Sequence, residues 1–457
     1  MTRAAAFAAA CCLLVASLVA GASPSGAASA TATATATAAR TFYVDCAAGS
    51  DTAAGTSTST AWRTLDRVNR QALLPGDRVR LKRTCVFDGQ RLLVTASGTS
   101  TAPITITAYG SGTRPTIRNG LNQDVLVSGS WVVVEYLILT HTPRQTTACG
   151  QPIGIYYGVN LVAGSHDVVV HDNLVSGAQA GVHLAEGSWG NHVVANTITG
   201  NNVLDAFHAN PAQDLGAWGV LVNGDRSEVA WNTFRDNRAV CSNQGYKLMS
   251  NTVEVYGGVG NVVHHNRSTG ERVFSELGGT AANPAGDTVF AYNEFVSTLA
   301  DSRFVVTRGA QDTLYGPVTS TTVVHNTTYQ TGPRSQGVVC ILGCSPSVLT
   351  MQGNVVWAEE KSVYADAAFS ESGDVFWNTA GAPFVQMPAP LSPTSVAADP
   401  RFTSRATGVL SLAAGSPAVD RVPEAAPLPF AAGDADLLHV PVPQGGARDA
   451  GSYEQLP

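Results

Sequence analysis

The chain is poor in charge: 13% of its 457 residues are Asp, Glu, Lys or Arg, and the formal balance is −7. No basic face is visible in that composition, so nucleic acid is not an expected partner. Helical periodicity is sparse, which argues against an alternating α/β fold. No G-x-x-x-x-G-K, H-E-x-x-H or repeated calcium loop occurs, and no tightly held cofactor is implied by motif. The cysteines form no C-x-x-C and lack a companion pair of histidines, which speaks against structural zinc. After the apolar run at 4–20, no stretch approaches the 18 or so apolar residues that a membrane span requires.

What stands at the start reads as an export signal. Arg3 supplies a positive beginning, residues 4–20 are apolar, and small residues continue to Ala30, the layout of a cleaved leader. Small residues suit cleavage after Ala22 or after Ala30, and the later site is preferred. That gives a signal peptide over 1–30, a low-complexity Ala/Thr linker over 31–41, and a secreted, extracellular product. Cys11 and Cys12 would leave with the leader. Six cysteines remain, Cys46, Cys85, Cys149, Cys241, Cys340 and Cys344, an even number suited to disulfides in an oxidising compartment. Six allow fifteen pairings; the expectation is that neighbours pair, Cys46 with Cys85, Cys149 with Cys241 and Cys340 with Cys344. Nothing in the sequence speaks to oligomeric state.

Asparagine recurs after short β-branched runs. VVVHDN ends at Asn173, VVAN at Asn196, VAWN at Asn232, VVHHN at Asn266, VFAYN at Asn293, VVHN at Asn326 and LTMQGN at Asn354. Each run has strand character, and asparagine tolerates the left-handed backbone of a tight turn. A second strand upstream ends at glycine: Gly164, Gly187, Gly224, Gly257, Gly309 and Gly343. A unit of strand, glycine turn, strand and asparagine turn cannot bury its apolar face alone and must stack on copies of itself. Stacked asparagines would then hydrogen-bond along the axis. An antiparallel sandwich, also rich in Asn turns, is the competing architecture.

On these residues the chain resembles the pectate-lyase-like right-handed parallel β-helix proteins with PbH1-type repeats. The segment 42–83, from FYVDCAAGSD through LLPGDRVRLKR, resembles their opening, in which a helix caps the first coil. DPRF at Asp399, LSLAAGSPAVD ending at Asp420 and GGARDAGSYE ending at Glu454 resemble their closing segment. The resemblance implies an all-β, single-stranded solenoid over 42–395 with loop insertions, followed by a closing segment over 396–457.

Residues beyond the basic coil must leave as loops, and function concentrates on loops held by a rigid scaffold. The surplus maps to 201–216 and 236–251, which makes 205–308 the candidate groove. In TVEVYGG, Val253 and Val255 should point inward, leaving Glu254 and Tyr256 outside. Glu276 follows Glu254 by about one coil, so the two carboxylates should lie one above the other at the ~4.8 Å strand spacing. Two acids that close resist ionising together, and an acid beside a carboxylate is what glycosidic cleavage needs. The alternative is a solvated outer face. Arg308 could pair with either acid or bind a substrate carboxylate. Asp214 and Asp225 are candidates for a base, a calcium ligand or a turn cap. Trp218 and Tyr256 offer stacking surfaces for sugar rings, His208 in the longest insert is a possible acid or base, and Lys247 is the lysine near the groove.

Three readings follow. The first is a glycoside hydrolase drawing its acid pair from Glu254, Glu276, Asp214 and Asp225. The second is a polysaccharide lyase acting on a uronic-acid polymer, with Lys247 or Arg308 as base or charge stabiliser and calcium on the aspartates. The third is a non-catalytic carbohydrate-binding or surface protein, since fold alone assigns no activity.

Overall fold

Three short strands make one circuit of this chain, and each strand hydrogen-bonds in parallel to its counterpart in the circuits before and after. The computed structural model describes residues 38–120, 122–141, 156–205, 215–239, 249–388, 390–422, 428 and 435–456. The leader and most of the linker, together with Cys149, His208, Asp214, Cys241 and Lys247, lie outside the described residues. Among the described residues no helix is long and apolar enough to cross a membrane.

The first sheet stacks 13 strands from Thr41–Val44 to Ser370–Ser372, the second 12 from Val86–Asp88 to Val396–Ala397, and the third 11 from Leu92–Val94 to Val385–Gln386. This is the expected parallel β-helix and excludes the antiparallel sandwich. The two-strand repeat unit needs correction: a third strand follows each asparagine, for example Leu174–Ser176 and Thr197–Thr199. Those after Asn173, Asn196, Asn232 and Asn266 span three residues and bury one, and those after Asn293, Asn326 and Asn354 span four, too little for alternation to show. The interior is a set of columns in register. Val125, Val159, Val182, Val220 and Val253 stack through successive circuits, each fully buried and each contributing roughly 1.5–3 kcal/mol by burial.

The asparagine ladder forms as expected. Asn173 Nδ2 donates to Asn196 Oδ1 at 3.1 Å, and the same bond repeats from Asn196 to Asn232, Asn266, Asn293, Asn326 and Asn354. Every rung is 0–1% exposed. The last step ends on an acid, Asn354 Nδ2 donating to Asp374 Oδ1 at 2.8 Å. Burial pushes the Asp374 carboxyl up to about 8, so the ladder closes on a protonated side chain at neutral pH. The left-handed residue is not the asparagine, as the sequence suggested, but its predecessor: Asp172, Ala195, Trp231, His265, Tyr292 and His325 have φ between 51° and 59°. The asparagine is selected for its amide, which serves two circuits at once.

Those left-handed residues build a second column on the same corner. Trp231 stacks on His265, His265 on Tyr292 and Tyr292 on His325, with centroids 4.1, 5.0 and 5.0 Å apart. The closing segment runs along it. His439 stacks on Trp231 at 4.0 Å, and the Arg448 guanidinium donates to the Tyr292 hydroxyl at 2.9 Å. Phe402, Leu412 and Tyr453 complete a small core with Val355 and Trp357 of the second sheet. At the other end, the helix Leu65–Asn69 buries Leu65 and Val68 against the first circuit, and the Thr64 side chain caps it by accepting from Arg67 N–H. The disulfides Cys46–Cys85 and Cys340–Cys344 are present, as neighbour pairing predicted.

Candidate functional site

Five consecutive strands of the third sheet carry the site: β1 (Ala180–Leu184), β2 (Trp218–Val222), β3 (Asn251–Tyr256), β4 (Val273–Gly278) and β5 (Arg303–Arg308). Both large insertions leave just before these strands, one ahead of β2 and the other ahead of β3. Val220 and Val222 of β2 and Val253 and Val255 of β3 are fully buried. The pleat therefore turns the residues between them outward. The resulting row reads His183, Leu221, Glu254, Glu276 and Val306, each in register with the next.

Glu254 and Glu276 are thus direct neighbours across one strand spacing, as the coil period predicted. Their surroundings differ. Glu254 accepts a hydrogen bond from Asn251 Nδ2 on its own strand. Burial first, and the neighbouring Glu276 carboxylate second, push the Glu254 carboxyl well above the usual carboxylate range; the Asn251 bond and Arg308 only partly oppose this. Glu276 is instead ion-paired to the Arg308 guanidinium. Arg308 is 7% exposed, its Nε stands 3.5 Å from Asp312 Oδ2, and it lies 5.4 Å from the Tyr315 ring centroid. One acid is therefore biased toward its protonated form by burial and its neighbour, and it stands beside a second that pairs with a buried guanidinium.

The other expected residues distribute unequally. Tyr256 is half-buried, and its ring lies across the next strand over Gly278, where an added Cβ would approach Tyr256 Cδ2 to 3.4 Å. That is ordinary van der Waals contact; the tighter approach at 278 is to the Tyr315 carbonyl oxygen, at 3.2 Å. Burial, with Tyr315 and Glu254 nearby, raises the Tyr256 hydroxyl. Trp218 is corrected: it is 9% exposed and packs with Ala180 and Leu221, with Tyr157 and Tyr256 against it, so it supports the face and does not offer an open stacking platform. Of the three readings of Asp225, the structure supports the turn cap. It sits at the corner after β2, where its Oδ1 accepts from Val259 N–H at 2.8 Å, a turn cap outside the acid row. Asp214, His208 and Lys247 lie outside the described residues. Among the described residues no group of three or more His, Cys, Asp or Glu side chains is placed to hold a metal ion.

Several participants were missed. Asn251, Asp312 and Tyr315 owe their position to the fold, the last two to the loop after β5. His183, which no motif in the sequence marks, sits in the acid row. Its ring is held between the side-chain amides of Asn160 and Asn223, each at 2.9 Å; burial lowers it to about 4, and the neutral ring donates from Nε2 to Asn223 Oδ1 and accepts at Nδ1 from the Asn160 amide turned to present its NH2. Tyr157 lies 4.5 Å from that ring. The separation of 23 residues between Asn160 and His183, one basic coil, is the signal that could have found them.

No family model matches the chain. A 73-residue stretch, 15% of the chain, is 45% identical to a lacto-N-biosidase from Bifidobacterium longum subsp. longum and spans 5% of that protein's length. Among solved structures, the pectate lyase Pel9A superposes with a TM-score of 0.55 at 14% identity, covering 91% of this chain and 96% of that one. An alginate lyase from Paenibacillus sp. str. FPU-7 gives 0.50 at 15% identity, covering 77% and 99%. At such identities the structural likeness establishes the parallel β-helix.

Proposed function

We propose that this chain is a secreted carbohydrate-active enzyme that hydrolyses a glycosidic bond of an extracellular polysaccharide, with Glu254 as the acid and Glu276 as its partner. The observation that carries the reading is the asymmetric pair: Glu254 on β3, whose carboxyl is raised by burial and by its neighbour, directly in register with Glu276 on β4, which pairs with a buried arginine. Glu254 would donate its proton to the leaving oxygen as the bond breaks. Glu276, paired with Arg308, would face the anomeric carbon as positive charge develops there. A backbone spacing of about 4.8 Å suits the short carboxyl separation of about 5–5.5 Å at which the second acid attacks the sugar directly, and not the wider gap that admits a water. At that separation the reaction would pass through a covalent glycosyl-enzyme, which water then hydrolyses, with retention of configuration. Asn251 and Arg308 act through the acids as positioning residues, and Tyr256 borders the sugar site.

The similarity to a lacto-N-biosidase supports hydrolysis over elimination. The lyase reading draws its support from the neighbours' names alone. Its base candidates are weaker: Arg308 is committed to Glu276, and Asp225, one of the two aspartates considered for calcium, is committed to a turn. The test is a panel of neutral and uronate polysaccharides assayed for new reducing ends, ultraviolet absorbance of unsaturated ends, and the anomer first released. Hydrolysis predicts reducing ends without absorbance and with the starting anomer. Absorbing products on a uronate polymer would replace this mechanism with elimination, and no cleavage of any polymer would favour a binding protein.

A further inference from the structure

A second candidate site lies on the outer face of the first sheet, near the N-terminal end of the coil. The strand Arg78–Lys82 alternates buried and outward residues: Val79 and Leu81 are fully buried, so Arg78, Arg80 and Lys82 face out. Lys82 is neutralised by Asp45 at 2.6 Å. Arg78, Arg80 and Arg83 have no carboxylate partner among the described ion pairs, and they line one cavity of about 630 Å³. The Arg80 Nε is buried without a hydrogen-bond partner, and its guanidinium lies 5.9 Å from the Tyr43 ring centroid. Thr105 and Thr107 stand in register beside Arg78 and Arg80 on the next strand, adding two hydroxyls to the floor, and Tyr109 and Tyr136 add aromatic walls. The carboxylate in the lining, Glu135, is engaged by His171 Nε2 at 2.9 Å. On a chain of net charge −7, this is a local cationic cleft, and it qualifies the sequence reading that no basic face exists.

We propose that this cleft is an accessory binding site for an acidic glycan, one bearing carboxylates on its sugar rings, separate from the acid row on the third sheet. Arg83 donates one N–H to Gly112 O at 3.1 Å; guanidiniums that lack a carboxylate partner take carboxylates in a two-pronged fashion. The hydroxyls and rings beside them suit the polar edge and apolar face of a sugar. The volume falls in the ~300–1,000 Å³ range of clefts that hold small ligands or chain segments. Such a site would hold the enzyme on an acidic polymer while the other face cleaves. Nucleic acid is the competing anion, disfavoured because three arginines form no continuous track for a phosphate backbone.

The test compares the wild type, the triple variant Arg78→Gln/Arg80→Gln/Arg83→Gln and the single variant Arg78→Gln, which alters an exposed side chain and should fold. Binding to immobilised polygalacturonate and alginate, to a neutral glucan and to single-stranded DNA is measured at low and high salt. The wild type should bind the uronate polymers, weaken with salt and ignore the neutral glucan. The single variant should weaken binding measurably and the triple variant about tenfold or more, with turnover on short neutral saccharides unchanged. Equal binding by wild type and the single variant, or DNA binding as tight as uronate binding, would overturn the proposal. Retention is read without turnover, so failure of the acid-pair mechanism would leave this result untouched, and the reverse holds.

Discussion

Glu254→Gln and Glu276→Gln should each lower kcat by about 10²–10⁴-fold, with cooperative unfolding retained, because glutamine preserves shape on an outer face while removing the proton or the charge. The two variants should differ in their pH profiles. In the wild type, activity falls as pH rises through the raised Glu254 value, since the acid must be protonated to act. Glu276→Gln removes the carboxylate that helps to raise it and leaves Arg308 free to stabilise the ionised form, so the alkaline limb of residual activity should move to lower pH. Glu254→Gln should lose that limb. Steady-state rates across pH, with thermal unfolding as a control, check both; unchanged turnover in both variants would remove the pair from the mechanism.

The second large effect concerns the scaffold that sets the register. Asn266→Leu should destabilise the chain by about 3–5 kcal/mol. Asn266 Oδ1 accepts from both Asn232 N–H and Asn232 Nδ2 at 3.0 Å, while its Nδ2 donates to Val229 O at 2.8 Å and to Asn293 Oδ1 at 3.0 Å. Leucine keeps the γ-branched outline but is larger and strands these partners in a dry corner, where each buried unpaired group costs about 1–3 kcal/mol. Because each circuit touches mainly its neighbours, the loss should appear locally as faster amide exchange in circuits flanking position 266. Denaturant unfolding and hydrogen exchange read both, and a cost below about 1 kcal/mol would mean the ladder decorates the corner without holding it.

What the sequence disclosed follows from periodicity. The ladder was legible because one residue type recurs at one corner of every circuit, and the acid pair because Glu254 and Glu276 differ by nearly one coil between strands of clear alternation. Features without a period stayed hidden. The three-residue strands are too short to alternate, and the left-handed turn position is filled by Asp, Ala, Trp, His and Tyr, with no common chemistry to mark it. Trp218 reads as a sugar platform on its strand, yet Leu221 and two tyrosines close around it. Asp312 and Tyr315 reach Arg308 through a loop whose path no pattern fixes. The arginine cleft is hidden for another reason: RVRLKR alternates over one short strand, and the cleft forms only where neighbouring circuits add Thr105, Thr107 and Tyr136 to it.

The most direct measurement is a carbon-13 NMR titration of the glutamate side-chain carboxyls in wild type, Glu254→Gln and Glu276→Gln. One resonance that disappears in Glu254→Gln should titrate well above the usual carboxylate range in wild type and move down in Glu276→Gln. If every resonance assigned to Glu254 titrates in the ordinary range and is indifferent to Glu276→Gln, the two carboxyls do not share a site and the proposed acid does not exist.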